Sequence, residues 1–150
     1  MVVIDVQNLQ ERLPAEDLPL GEWASQVIGL LGIEEAELSV VVVDDEEITE
    51  LNRSYLGHEG PTNVISFPQQ EGDGPVGDHL GDVVISIERA AQEAAEAGMD
   101  LDERMLQLLI HGICHLVGFD HERGTEEDAA RMEEVEEGLF LTVMGQPAQA

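Results

Sequence analysis

The chain has 150 residues, 43% of them hydrophobic, which suffices for a single domain over residues 1–150 with its own core and excludes a disordered tail. Its six Lys+Arg are all arginines and stand against 33 Asp+Glu, a net charge of −27, so the basic patch with which nucleic-acid binders usually grip phosphate is missing. One cysteine excludes an intrachain disulfide, and the opening MVVIDVQNLQERLP, with an early aspartate and no basic or long apolar stretch, is not expected to be a secretory signal. No window reaches the ~18 apolar residues of a membrane span, so a cytoplasmic protein with no membrane partner is expected.

Val2 to Val6 reads as a first strand, rich in β-branched residues. Leu20 to Leu31 reads as a helix with Trp23, Val27, Leu30 and Leu31 near helical spacing and Gly32 as its stop. The valine run from Leu38 to Val43 suits a strand buried on both faces. Asp45 is expected to cap a helix that carries Ile48, Leu51 and Tyr55 on one side and stops at Gly57. Thr62 to Phe67 reads as a strand ended by Pro68, and the segment from Glu71 to His79, with three glycines and a proline, as a loop. Val83 to Ile85 is a short strand, and Ser86 caps a helix running to Gly98. Asp100 caps a largely apolar helix from Leu101 to Val117, with Gly118 as its stop. Thr125, with Asp128 three residues on, opens a last helix that buries Met132, Val135, Leu139 and Val143. Interleaved strands and helices predict an α+β fold: a small mixed β-sheet packed against helices, with a buried central helix carrying two metal-ligand histidines.

Those histidines lie in the stretch from His111 to His121. His111 and His115 are four apart on the expected helix, so their side chains share one face. Gly118 ends that helix and lets the chain return His121 to a third corner. Three imidazoles with a fourth position open form the usual catalytic Zn²⁺ arrangement. The spacing matches the metzincin pattern H-E-x-x-H-x-x-G-x-x-H, except that the general-base glutamate is replaced by Gly112. Losing that carboxylate would lower peptidase catalysis about 10²–10⁴-fold, so a metal site is expected and a metzincin protease is not. Cys114 is expected as a small buried hydrophobe and not as a ligand. Asp120 and Glu122 flank the third histidine, and two readings stand: one of them orients a ligand's second nitrogen, or both are simply solvated.

The stretch His-Gly-x-x-His-Leu-x-Gly-Phe-Asp-His, His111 to His121, resembles the signature of the YbeY family, bacterial rRNA-maturation endoribonucleases. Leu51-Asn52-x-x-Tyr55 with Pro61-Thr62-Asn63-Val64-Ile65-Ser66-Phe67-Pro68, and then Leu80-Gly81-Asp82-Val83-Val84-Ile85-Ser86, resemble the family's other two motifs in the same order. The resemblance implies a zinc-dependent, single-strand-specific endoribonuclease acting in 16S rRNA processing and ribosome quality control, with one Zn²⁺ per chain on His111, His115 and His121. Its implied partner is rRNA, in the company of ribosomal proteins or assembly factors, and not DNA. Basic partners of that kind would recruit so acidic a domain to RNA. The family's arginine after the tyrosine is Leu56 here, and its aspartate three residues later is Glu59. Arg53, one helical turn before Leu56, and Arg123, soon after the third histidine, are the candidates to supply the missing guanidinium. A second reading is a metal-stabilised ribosome-assembly module with little catalytic activity, which the substitution at Leu56 favours. A third, a metal hydrolase of a small molecule, has no motif behind it.

Overall fold

The computed structural model describes residues 1–60, 62–68, 79–117 and 126–145. In chain order the elements are β1 (Val2–Asn8), α1 (Leu20–Leu30), β2 (Ala36–Val43), α2 (Asp45–Leu51), β3 (Val64–Pro68), β4 (His79–Ser86), α3 (Ile87–Ala97), α4 (Leu101–Leu116) and α5 (Glu126–Gly145). The four strands form one mixed sheet in the order β1-β2-β4-β3. β2 runs parallel to both β1 and β4, and β3 pairs antiparallel with β4. The expected α+β fold with a small mixed sheet is therefore found.

Alternation along the central strands sorts side chains to two faces. Leu38, Val40 and Val42 of β2, with Val83 and Ile85 of β4, point into the main core, where Val27 of α1, Ala90 of α3, Leu109 of α4 and Leu139 of α5 meet them. Val43, Ile65 and Val84 point the other way, onto Ile48 of α2. The valine run is thus buried on both faces only toward its end. Glu37 is exposed and Ser39 and Val41 are half-buried, because α2 covers just that end of the sheet.

Several local expectations shift. Asp44, not Asp45, caps α2: its Oδ1 accepts the Glu47 N–H at 2.9 Å. Asp45, already helical, instead accepts from Ser86 Oγ at 2.7 Å and Arg89 Nη2 at 2.9 Å, tying the start of α2 to that of α3. After Leu51 the helix widens into a π-type turn, Asn52–Leu56, which places Tyr55 on the surface, 69% exposed, with its ring edge-on to Phe67 at 5.7 Å. Pro68 belongs to β3, where it pairs with Gly81; at a sheet edge its missing N–H leaves no central ladder bond broken. β4 is longer than the three residues expected. Its register against β2 steps from Glu37–His79 to Leu38–Gly81, so one extra residue bulges there. Gly81 has φ +136°, and a Cβ would stand 2.2 Å from the Phe67 carbonyl oxygen, so glycine is required at this bend.

The remaining caps follow expectation. Ser86 Oγ accepts the Arg89 N–H at 3.1 Å at the head of α3. The Asp100 N–H donates to Glu103 Oε1 at 2.9 Å at the head of α4. α4 runs through the core with Leu106, Leu109, Ile110 and Ile113 fully or almost fully buried. α5 buries Met132, Leu139 and Val143, with Val135 half-buried; its expected opening at Thr125 and the expected Gly118 stop lie outside the described residues, as do residues 71–78 of the expected Glu71–His79 loop, whose last residue instead begins β4. Among the described residues no helix is long and apolar enough to cross a membrane.

Candidate functional site

α4 presents His111 and His115 one turn apart, as the spacing predicts. Their Nε2 atoms lie 3.1 Å apart, and the rings meet edge-on with centroids 4.5 Å apart at 74°. Two nitrogens bound tetrahedrally to one Zn²⁺ at about 2.0–2.1 Å would be separated by about 3.3–3.4 Å, so this pair fits a shared ion with little adjustment. In its neutral form the same pair makes an N–H···N hydrogen bond.

The other nitrogen of His111 is held from a different helix. Glu136 Oε2 of α5 lies 2.6 Å from His111 Nδ1. A carboxylate there takes the Nδ1–H, which fixes the tautomer and leaves Nε2 as the lone-pair face. Sequence reasoning did not single out Glu136, although a signal for it exists. It sits four residues after Met132 and three before Leu139, so it is a charged residue set within the inward stripe of α5.

Gly112 explains why the metzincin glutamate is missing. A Cβ at this position would be 2.6 Å from Val83 Cγ1 and 3.1 Å from Cγ2, and Val83 is fully buried in β4. The helix backbone therefore lies directly on the sheet, and Ser66 Oγ of β3 donates to the Gly112 carbonyl at 3.0 Å. A glutamate there would aim into the sheet and away from the imidazoles. Cys114, fully buried in the core as expected, has its thiol pushed up to about 12 by burial first and the Glu136 charge second. With no ion beside it the group is held as a neutral thiol, in keeping with a small buried hydrophobe.

Beside His111 a cleft of about 630 Å³ opens between α4 and α5. Its lining includes Asn63, Arg104, Phe140 and the carboxylates of Glu133, Glu136 and Glu137. Arg104 is already engaged by Glu93 through Nε at 3.0 Å and Nη2 at 2.9 Å, and Asn63 Nδ2 donates to the same carboxylate at 3.2 Å. Three glutamates against one paired arginine give this cleft no pull on a phosphate.

Arg53 lies on the surface with Nη2 at 2.5 and 2.7 Å from the two Glu50 oxygens. That hydrogen bond, then the paired charges, raises the Arg53 pKa above its ordinary value and lowers that of Glu50. Leu56 is 46% exposed on the same turn. His121, Asp120, Glu122 and Arg123 lie outside the described residues. Among the described residues no group of three His, Cys, Asp or Glu side chains converges as a metal site.

A sequence profile of the family described as Endoribonuclease YbeY matches residues 5–143. An Endoribonuclease YbeY from Syntrophotalea carbinolica is 45% identical over 146 residues, covering 95% of this chain and 97% of that one. One from Geobacter sulfurreducens is 46% identical over 139 residues, covering 91% and 93% of the two chains. The solution structure of TM1509 from Thermotoga maritima superposes with a TM-score of 0.63 at 21% identity, covering 99% of this chain and all of that one, which shows a shared fold. On sequence agreement that spans nearly its whole length, the chain belongs to the Endoribonuclease YbeY family.

Proposed function

We propose that this protein is a zinc-dependent, single-strand-specific endoribonuclease that acts in 16S rRNA processing and ribosome quality control in the cytoplasm. The observation that carries the reading is the imidazole pair: two Nε2 atoms 3.1 Å apart, with the far nitrogen of His111 held by Glu136. His111 and His115 would hold the ion together with His121, whose part rests on the family motif. Bound zinc would supply electrophilic chemistry, polarising a phosphoryl oxygen and making water more acidic. Glu136 keeps the His111 lone pair pointed at the site and would offset the charge of a bound ion. Arg53, with Arg123, is the candidate for contacting the scissile phosphate, and Arg53 must release Glu50 to do so. Phosphate would have to compete with an exposed pair in which Arg53 Nη2 alone reaches both Glu50 oxygens, an exchange that solvent makes inexpensive.

The alternative, a metal-stabilised ribosome-assembly module with little catalytic activity, is favoured by the exposed Leu56 where the family arginine would stand. Single-turnover cleavage of a structured rRNA fragment, with and without chelator, separates the two. Chelator-sensitive cleavage that His115→Ala abolishes supports the nuclease. Zinc bound at about one per chain with no cleavage supports the assembly module.

A further inference from the structure

β1 ends the sheet, and its outer edge is unpaired among the described residues. The Met1 carbonyl accepts from the Ala36 N–H at 3.1 Å and the Leu9 N–H donates to the Val42 carbonyl at 2.9 Å, both toward β2. N–H and C=O point to alternate sides along a strand, so the odd-numbered residues serve β2. Val2, Ile4, Val6 and Asn8 therefore turn their backbone groups outward. The usual guards of an edge, lysine or proline, are absent from Val2–Asn8.

A shallow groove opens beside this edge at Ile4. Ile4 of β1 and Gly21, Glu22, Ser25 and Gln26 of α1 line a space of about 420 Å³. Gly21 and Ser25, one turn apart, keep the flank of α1 low, and a Cβ at Gly21 would only just touch Val6. Val6 (42%) remains exposed beside it, and Val3 (46%) is exposed on the opposite face of β1. The side-chain charges beside the groove are acidic, and the one cation at the head of β1, the Met1 ammonium, is already paired with Glu35. Glu22 borders the groove, Asp5 stands exposed on the opposite face of β1, and the chain as a whole carries −27.

We propose that the β1 edge is a docking site for an extended, basic segment of a partner protein, which adds as a fifth strand between β1 and α1. Main-chain bonds to Ile4 and Val6 give the register, small apolar side chains enter the groove beside Gly21, and lysine or arginine side chains meet Glu22 and Asp5. A second copy of the chain is the wrong occupant, because two bodies of −27 would bring Asp5 and Glu22 of each against the same charges. This site is separate from the imidazole pair and does not depend on the nuclease reading.

The test uses the full chain and a fluorescein-labelled ten-residue peptide of alternating lysine and valine, with an alternating glutamate and valine peptide as control. The lysine peptide should bind, and the amides of Ile4 and Val6 should gain hydrogen-exchange protection. Val6→Pro removes only an outward N–H, so the sheet should persist while affinity falls by about tenfold or more. Glu22→Lys with Asp5→Lys, which leaves the backbone intact, should weaken binding similarly should the proline variant misfold. Equal binding of both peptides, or undiminished binding by a folded Val6→Pro, overturns the proposal. So does a dimer in sedimentation equilibrium that Val6→Pro dissolves, since the edge would then belong to a second copy.

Discussion

Glu136 Oε2 of α5 sits 2.6 Å from His111 Nδ1 of α4, so a residue 25 positions away orients one half of the imidazole pair. Carboxylates in this position typically govern metal affinity by about 10–100-fold. For the proposed three-histidine site, Glu136→Gln should weaken zinc binding within that range, and His115→Ala should abolish stoichiometric binding, because two imidazoles hold zinc far less tightly than three. Competition with a chromophoric chelator measures both. Unchanged affinity in Glu136→Gln would show that the contact only packs α5 on α4.

Gly112 is a packing residue before it is anything else. Gly112→Ala gains about 1 kcal/mol of helix propensity but forces a methyl into Val83, and overpacking of this kind costs about 1–3 kcal/mol. Net destabilisation of about 0–2 kcal/mol is expected from denaturant titration. In a Val83→Ala background the same change should be stabilising, a non-additivity expected of residues in contact. Equal effects in both backgrounds would mean that the two residues are not in contact.

Leu56 and Arg53 share one exposed turn, where only Arg53 carries a guanidinium. Leu56→Arg should raise single-turnover RNA cleavage, and Arg53→Ala should lower it in the natural background. Glu50→Gln, which loosens the grip on Arg53, should raise it modestly. If all three variants cleave at the natural rate, neither position handles the phosphate.

The acidity of the chain also bears on RNA affinity. Repulsion between a −27 body and a polyanion is screened only over about 8 Å at physiological salt. Free single-stranded RNA should therefore bind weakly, with affinity flat or rising as salt is raised, opposite to an ordinary RNA binder. Basic ribosomal proteins should show the reverse trend. Titration of labelled RNA at several salt concentrations decides. A steep loss of RNA affinity with salt would mean that the arginines grip phosphate directly.

Much of this protein is readable along the chain because the deciding physics is local. Four-residue spacing alone puts His111 and His115 on one face, capping chemistry locates the start of α4, and β-branched runs mark β2. Where neighbouring residues compete for one role, local rules fail by a step. Asp44 and Asp45 are equally good caps, and only the pull of Ser86 and Arg89 on Asp45 leaves the cap to Asp44. The edge position of Pro68 and the bulge at Gly81 follow from strand pairing, which propensity does not encode. The meaning of Gly112 was likewise hidden. In the sequence it is a missing glutamate, and in the fold it is the point where helix and sheet touch, through Val83 and through Ser66, the latter 46 residues from Gly112. Glu136 is the sharpest case. Its place in an apolar stripe hinted at burial, but its partner could be named only once α5 lay against α4, because a hydrogen bond across that separation is decided by packing and by no spacing rule.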